Sequence, residues 1–191
     1  MKGQIDAPFE LLVAVILMGF VLVVGFQAMQ KVTFDSCVQQ NDKQLEDLKT
    51  ALESTINGEN SRVFFSLPEC APKMSTKDGK TELVQKVSLK REGDSAICSE
   101  YCSASFNTCV LLSLYNPEFA RVKCVSISPL TSFPKACDSC PEGFEAIDLF
   151  SSVDVATIPE AEYLFINITA KSASALPTVC ACKRCQSKDC K

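Results

Sequence analysis

The sequence predicts an α+β fold, in which a long N-terminal helix is followed by a small, disulfide-rich antiparallel β head. The helix is expected to be transmembrane in its first half and amphipathic in its second half. Three observations lead to this prediction. Residues 11–26 carry no charged or strongly polar side chain, residues 38–56 repeat apolar side chains at helical spacing, and all twelve cysteines follow the apolar run.

The first element is an apolar helix long enough to cross a bilayer. Counted from Ala7, the stretch contains roughly 20 residues, and about 20 are needed to span the hydrocarbon core. Its only charge is Glu10. No small-residue cleavage box follows Phe26, so a retained helix is favoured over a cleaved export signal. A buried soluble helix would need a larger partner core than this short chain supplies.

The second element continues the same helix with a single apolar stripe. Acidic and basic side chains fill the other faces, as in an amphipathic helix that packs on a globular body. Asn57-Gly58 supplies the C-terminal stop. A continuous helix from Pro8 to Asn57 would be about 75 Å long at ~1.5 Å per residue. The stripe consists of Val38, Leu45, Leu48, Leu52 and Ile56.

The remaining chain is predicted to form short strands separated by turn residues. The candidate strands are rich in β-branched and aromatic residues and are bounded by Pro, Gly, Asn, Asp and Ser. They are expected to form an antiparallel sheet on the amphipathic half of the helix. The predicted strands are Arg62–Leu67, Thr81–Leu89, Thr108–Tyr115, Arg121–Ser128, Ala146–Leu149, Tyr163–Thr169 and Thr178–Cys182.

Composition excludes several classes of function. The net charge of −4, without a basic block, gives no electrostatic footprint for nucleic-acid binding. The chain has no His, which removes the most common general base and the most common metal ligand. No catalytic serine motif or phosphate-binding glycine loop is present. We therefore expect neither an enzyme nor a bound cofactor.

The cysteines are the strongest signal in the head. A dense, even set favours an oxidising location and a framework of up to six disulfides, whose connectivity the sequence leaves open. Cys37, on the helix, is expected to bond to the head, with a link between subunits as the alternative. The disulfide candidates are Cys37, Cys70, Cys98, Cys102, Cys109, Cys124, Cys137, Cys140, Cys180, Cys182, Cys185 and Cys190.

Two C-x-x-C pairs allow a different interpretation of four of these cysteines. Cys137 with Cys140, and Cys182 with Cys185, have the spacing of Cys₄ metal sites. The alternative prediction is therefore a metal or redox centre at these four residues. The abundance of other cysteines favours disulfides over this alternative.

Asn167-Ile168-Thr169 is an N-glycosylation sequon. It lies in a predicted strand, so it is a candidate glycan site rather than an expected one.

The N-terminus, read as Lys2-Gly3-Gln4 before a spanning helix, resembles an archaeal class III signal peptide of type IV pilin-like proteins. The resemblance implies that a prepilin-type peptidase cuts after Gly3, that Gln4 becomes the new N-terminus, and that the apolar helix is retained. The domain organisation it implies is a leader at 1–3, a transmembrane or filament-core helix at 4–28, an amphipathic helix at 29–58 and a β head at 59–191.

The family usually carries Ser at the third mature position and Glu at the fifth, where this chain has Asp6 and Pro8. In pilins the fifth-position Glu is thought to neutralise a neighbour's N-terminal amine inside the filament core. Asp6 and Glu10 are the candidates for that role here, because a buried ammonium is costly unless it is paired. Their alternative role is favourable charge at a helix N-terminus.

The function expected from this resemblance is that of a structural or adhesive subunit of an archaeal surface filament. It would polymerise with itself through the N-terminal helix, rest in the membrane before assembly, and bind no nucleic acid. One alternative is a membrane-tethered extracellular domain that never polymerises, such as a receptor or minor pseudopilin. Another is a surface metal or redox protein.

Overall fold

A computed structural model describes residues 6–68, 70, 86–102, 107–116, 119–150, 155–158, 160–169 and 176–185. The chain divides into two compact units, residues 1–39 and 40–191. The long helix α1, Asp6–Ile56, contributes to both units. Residues 40–56 of the predicted amphipathic helix therefore belong to the same compact unit as the β head.

The C-terminal end of α1 is closed by the predicted Asn57-Gly58 stop. Gly58 has a φ of 109°, in the left-handed region that glycine adopts without a Cβ clash. Its N–H donates to the Thr55 carbonyl over 3.1 Å, and the Glu59 N–H donates to the Ser54 carbonyl over 3.0 Å. These bonds satisfy carbonyls that the last helical turn leaves without partners.

Within the described residues, the strands form two four-stranded sheets, not the single sheet predicted. Neighbouring strands in both sheets are antiparallel. One sheet has the order β1-β7-β8-β5 and the other β4-β3-β2-β6. The strands are β1 Ser61–Phe65, β2 Lys86–Glu92, β3 Thr108–Asn116, β4 Phe119–Ile127, β5 Phe144–Ala146, β6 Val155–Ile158, β7 Ala161–Asn167 and β8 Val179–Arg184.

Two elements were not predicted, namely β6 and a short helix, α2, at Ser95–Tyr101. β6 has four residues and pairs with β2 at the sheet edge, so it is too short for a visible alternation of apolar and polar residues. The predicted strand Thr81–Leu89 falls partly on residues outside the described ranges, and β2 begins at Lys86. The α+β class with a long N-terminal helix and antiparallel sheets is confirmed.

A single hydrophobic core joins α1 to both sheets. Leu45, Leu48 and Leu52 of the predicted stripe are at most 1% exposed and belong to this core. One sheet contributes Phe65, Tyr163 and Phe165, and the other contributes Val87, Leu89, Val110, Leu112, Leu114, Val125 and Ile127. Each sheet therefore turns one face to the shared core, and the alternation of side chains leaves its other face pointing away.

Candidate assembly segment and cystine-stapled head

The first half of α1 is an apolar segment that the described chain leaves uncovered. We use the name apolar segment for residues 9–32. Every large hydrophobic side chain in it is exposed, from 38% at Val13 to 74% at Met18. Among the described residues, α1 is the one helix long and apolar enough to cross a membrane, and none of its most apolar window is buried.

The residues expected at the processing and amine-pairing sites surround the start of this helix. Gly3 and Gln4 lie outside the described residues. Asp6 is the first residue of α1, and Glu10 follows four residues later and is exposed. Both candidate residues therefore belong to the first turns of α1.

Two disulfides fasten α2 to the outward face of the sheet that contains β3 and β4. Cys98 bonds to Cys109, and Cys102 bonds to Cys124. Asp94 is the N-cap of α2, and its side chain accepts a 2.8 Å hydrogen bond from the Ala96 N–H. The four sulfurs, with Leu111 and Ile97, form a second hydrophobic cluster separate from the main core.

Two further disulfides fasten the segment before β5 to the outward face of the other sheet, at β8. Cys137 bonds to Cys180, and Cys140 bonds to Cys182, with both partners on β8. The segment that carries Cys137 and Cys140 has no helix or strand until β5. Each sheet thus has one face on the shared core and the other face held under a pair of cystines.

The alternative metal set of Cys137, Cys140, Cys182 and Cys185 is not assembled as four thiolates. Cys137 and Cys140 bond to β8 cysteines, and Cys185 is also in a disulfide. Cys37 and Cys70 are in disulfides too, and Cys190 lies outside the described residues. Within the described chain, no cysteine is a free thiol.

The side chain of Asn167, the candidate glycan site, forms hydrogen bonds within the head. Its Nδ2 donates to the carbonyl of Thr55 over 2.7 Å, near the end of α1, and its Oδ1 accepts from the Thr169 N–H over 2.9 Å. Glycosylation attaches the sugar at Nδ2 and removes one of its two N–H donors, so a glycan would have to fit beside the Thr55 carbonyl that Nδ2 contacts. The geometry supports a structural role in which Asn167 joins α1 to β7.

One group of side chains on the outward face of the β1-β7-β8-β5 sheet combines charge with an exposed aromatic ring. The Glu162 carboxylate accepts from Arg62 and, over 2.7 Å, from Arg184. The Arg62 and Arg184 guanidiniums hold the pKa of Glu162 below its usual value. Phe64 is 67% exposed beside them and lines a cavity of about 600 Å³ with Glu162 and Arg184.

Sequence reasoning missed the role of α2 as a cysteine-bearing element. The signal was present, because Cys98 and Cys102 are four residues apart and follow Asp94, a good helix N-cap. Two cysteines at that spacing lie on one face of a helix and can bond to a sheet beneath it. The partners on β3 and β4 follow from strand register, which the sequence does not give.

Comparisons with protein-family models, with curated proteins and with solved structures found no match to this chain.

The molecule thus joins an exposed apolar helix to a head rich in disulfides. The helix indicates membrane anchoring or a signal, by its length and composition. The disulfides indicate an extracellular location, because such bonds persist in oxidising surroundings.

Proposed function

We propose that this protein is a structural subunit of an archaeal type IV pilin-like surface filament. Before assembly the apolar segment would hold it in the membrane. After assembly, the apolar segments of many copies would form the filament core and the heads would form the shell. One observation carries the proposal: a single helix is exposed and apolar in its first half, and its second half is part of the hydrophobic core of a disulfide-rich head.

The apolar segment requires apolar surroundings, either lipid or other copies. Removing one exposed Leu or Phe from water contributes about 1.5–3 kcal/mol, and the segment contains many such side chains. Because lipid is as apolar as these side chains, association of copies would depend on packing between the helices. Lipid covers this surface before assembly, and the equivalent surface of other copies covers it afterwards. Because residues 11–26 of the segment carry no charged or strongly polar side chain, this part fits both surroundings without leaving hydrogen-bonding groups unsatisfied.

The first turns of α1 offer a way to hold copies in register. If a prepilin-type peptidase cuts after Gly3, the free amine of Gln4 enters an apolar core. Asp6 and Glu10, in the first turns of α1, are the carboxylates nearest to it along the chain. An unpaired buried charge costs several kcal/mol, so pairing that amine with a carboxylate of a neighbouring copy would favour one stagger between helices.

The head suits an outer shell. Its sheets are covalently stapled on the faces that the core leaves uncovered, which protects it outside the cell. The exposed ring of Phe64, next to Arg62 and Arg184, is the surface on which an adhesive role would depend.

The test compares the native protein with a variant of the two carboxylates. Intact-mass analysis of material from the native surface should give a chain that begins at Gln4, and electron microscopy should reveal filaments. In Asp6→Asn with Glu10→Gln, membrane insertion should persist, because a charge at bilayer depth is unfavourable. Filaments should be lost or become rare. Asp47→Asn, which changes an exposed carboxylate on the head half of α1, is the control and should assemble normally.

Two results would contradict parts of this proposal. Normal filaments from the double variant would exclude amine pairing while leaving the filament function in place. A native chain that retains Met1, or that begins after Phe26, would exclude processing of the pilin type.

A second candidate is a membrane-tethered extracellular domain that never polymerises. The same fully exposed apolar window favours it, because that window is also long enough to span a bilayer alone. It becomes the better description if the wild-type protein, isolated from native membranes, is monomeric in mild detergent and gives no filaments.

A further inference from the structure

Four cysteines of the head lie close enough together to act as one site. The Sγ atoms of Cys102, Cys109 and Cys124 lie within 4.8 Å of one another, and all three residues are buried. The fourth, Cys98, is bonded to Cys109, so its sulfur adjoins the same group. We call these four residues the α2 cluster.

The fold brings the α2 cluster together from two sides. Cys98 lies on α2, and Cys102 is the residue that caps the C-terminal end of that helix, four positions later. Cys109 and Cys124 lie on the adjacent strands β3 and β4, on the face opposite the main core. Two sulfurs therefore come from the helix and two from the sheet, which is the arrangement that a tetrahedral ion needs.

The spacing is close to that of a zinc-thiolate centre. Zinc binds thiolate sulfur at about 2.3 Å, and tetrahedral geometry then separates the sulfurs by roughly 3.8 Å. Reduction would let each bonded pair open from the length of a disulfide, about 2 Å, to that separation. The sulfurs of Cys102, Cys109 and Cys124 already lie within 4.8 Å of one another. Leu111 and Ile97 pack beside the sulfurs and shield them from water.

We propose that the α2 cluster has a second, reduced state in which Cys98, Cys102, Cys109 and Cys124 bind one Zn²⁺ as thiolates. Oxidation converts that state into the two disulfides described above and releases the ion. Each disulfide forms when two thiolates lose two electrons. The four electrons, with four protons from water, reduce two molecules of an external disulfide to four thiols. This inference stands apart from the proposed function, since it needs neither processing nor polymerisation.

The head contains a matched control for this proposal. Cys137, Cys140, Cys180 and Cys182 also form two disulfides, but two of them come from a segment without regular structure before β5. Within the described ranges, the only group of cysteines with metal-binding spacing is the one in the α2 cluster. The second set should therefore form disulfides without offering a metal site.

The experiment uses Co²⁺ as a spectroscopic probe for Zn²⁺. The full chain, in mild detergent, is reduced with a phosphine and titrated with Co²⁺ in the absence of oxygen. The wild type should develop sulfur-to-cobalt charge-transfer and tetrahedral d–d bands that saturate near one equivalent, and Zn²⁺ should abolish them. Cys102→Ser with Cys124→Ser should lose the bands or bind Co²⁺ more than about tenfold more weakly, since even loss of a supporting residue costs about 10–100-fold in affinity.

The control variant is Cys137→Ser with Cys180→Ser, which should retain the bands and the stoichiometry. A second measurement does not depend on variant folding: alkylation of the reduced wild type with and without Zn²⁺, followed by peptide mass analysis, should find Cys98, Cys102, Cys109 and Cys124 protected by the metal. A wild type without cobalt-thiolate bands overturns the proposal. Bands that require Cys137 and Cys180, or protection of a different set of cysteines, also overturn it.

Discussion

The two halves of α1 have the same backbone conformation and opposite environments. Leu22, in the apolar segment, is 72% exposed, whereas Leu48, in the head, is fully buried between the helix and the sheets. The first half has apolar side chains on every face, and the second has one apolar stripe among charged residues. The distribution of apolar residues around a helix therefore decides what buries it. A single apolar stripe is buried by the rest of the same chain, whereas a helix that is apolar on every face needs lipid or other copies.

The largest expected contrast comes from the same substitution made in each half. Leu48→Ala should lower the free energy of unfolding of the head by about 2–5 kcal/mol, because it opens a cavity in the shared core. Leu22→Ala should change it by less than about 0.5 kcal/mol, because the side chain has no partner in the head. Urea unfolding in mild detergent, followed by tyrosine fluorescence since the chain has no Trp, measures both.

Equal effects of the two substitutions would mean that the apolar segment contributes to the stability of the head. Ile56→Val is a useful graded control, because Ile56 is only partly buried against the core and loses a single methylene. Its effect should fall below that of Leu48→Ala.

A smaller effect is expected from the polar link that joins the second half of α1 to the sheet. Asn167→Ala removes the donor to the Thr55 carbonyl and the acceptor for the Thr169 N–H. The Thr169 N–H is then left without this partner, and the Thr55 carbonyl keeps only its bond from the Gly58 N–H. The head should lose about 1–3 kcal/mol of stability, because both groups lie in a partly buried site. Asn57→Ala, an exposed amide at the helix end, is the control and should have little effect.

Expression in a host without N-glycosylation makes the Asn167 result unambiguous, since any loss of stability then reflects the hydrogen bonds. The structural role would be contradicted if Asn167→Ala left the stability of the head unchanged and native material carried a glycan on Asn167.

The two halves of α1 also differ in how fully the sequence predicts their surroundings. The spacing of Leu45, Leu48 and Leu52 correctly predicted the buried stripe, because residues at helical spacing lie on the same face of the helix. Gly58 predicted the end of the helix correctly, because the positive φ that ends the helix is a local property that glycine adopts readily. The strands were found to within a few residues, but Phe144–Ala146 and Val155–Ile158 are too short for a reliable pattern of alternation.

The division into two sheets and the disulfide partners could not be predicted, because both depend on contacts between distant residues. Cys137 is 43 residues from Cys180, and nothing in the intervening sequence specifies that pairing. The C-x-x-C spacing pointed to a local four-cysteine group that the fold does not form. The closest sulfur cluster is instead built by α2, β3 and β4, through strand register that only the three-dimensional structure provides.

The smallest expected effect concerns the charges beside the buried stripe. Lys123 on β4 lies 3.1 Å from Glu46 and 3.3 Å from Asp42, both on the head half of α1. Burial works to lower the pKa of Lys123, but hydrogen bonds to the two carboxylates outweigh it and raise that pKa. The hydrogen bond from Lys123 lowers the pKa of Glu46.

The sign of the pH dependence follows from these two shifts. The lowered pKa of Glu46 contributes stability that is present above its unfolded pKa and is lost as the pH falls through its folded pKa. The raised pKa of Lys123 contributes stability that is present below its unfolded pKa and is lost as the pH rises through its folded pKa. Between these limits both contributions persist, so this contact should be strongest across the neutral range.

Lys123→Met should therefore reduce the stability of the head at neutral pH and flatten its decline in acid. The Glu46 side chain is 45% exposed, so solvent screening limits the expected difference to less than about 1 kcal/mol. Urea unfolding from about pH 7 to pH 3 measures it, and roughly 1 M salt should shrink it, because the Debye length falls to about 3 Å. Lys43→Met, which removes an exposed lysine from the same helix half, is the control. If both variants decline with pH as the wild type does, the Lys123 contact adds nothing to the attachment of α1, and the apolar stripe alone holds the helix in the head.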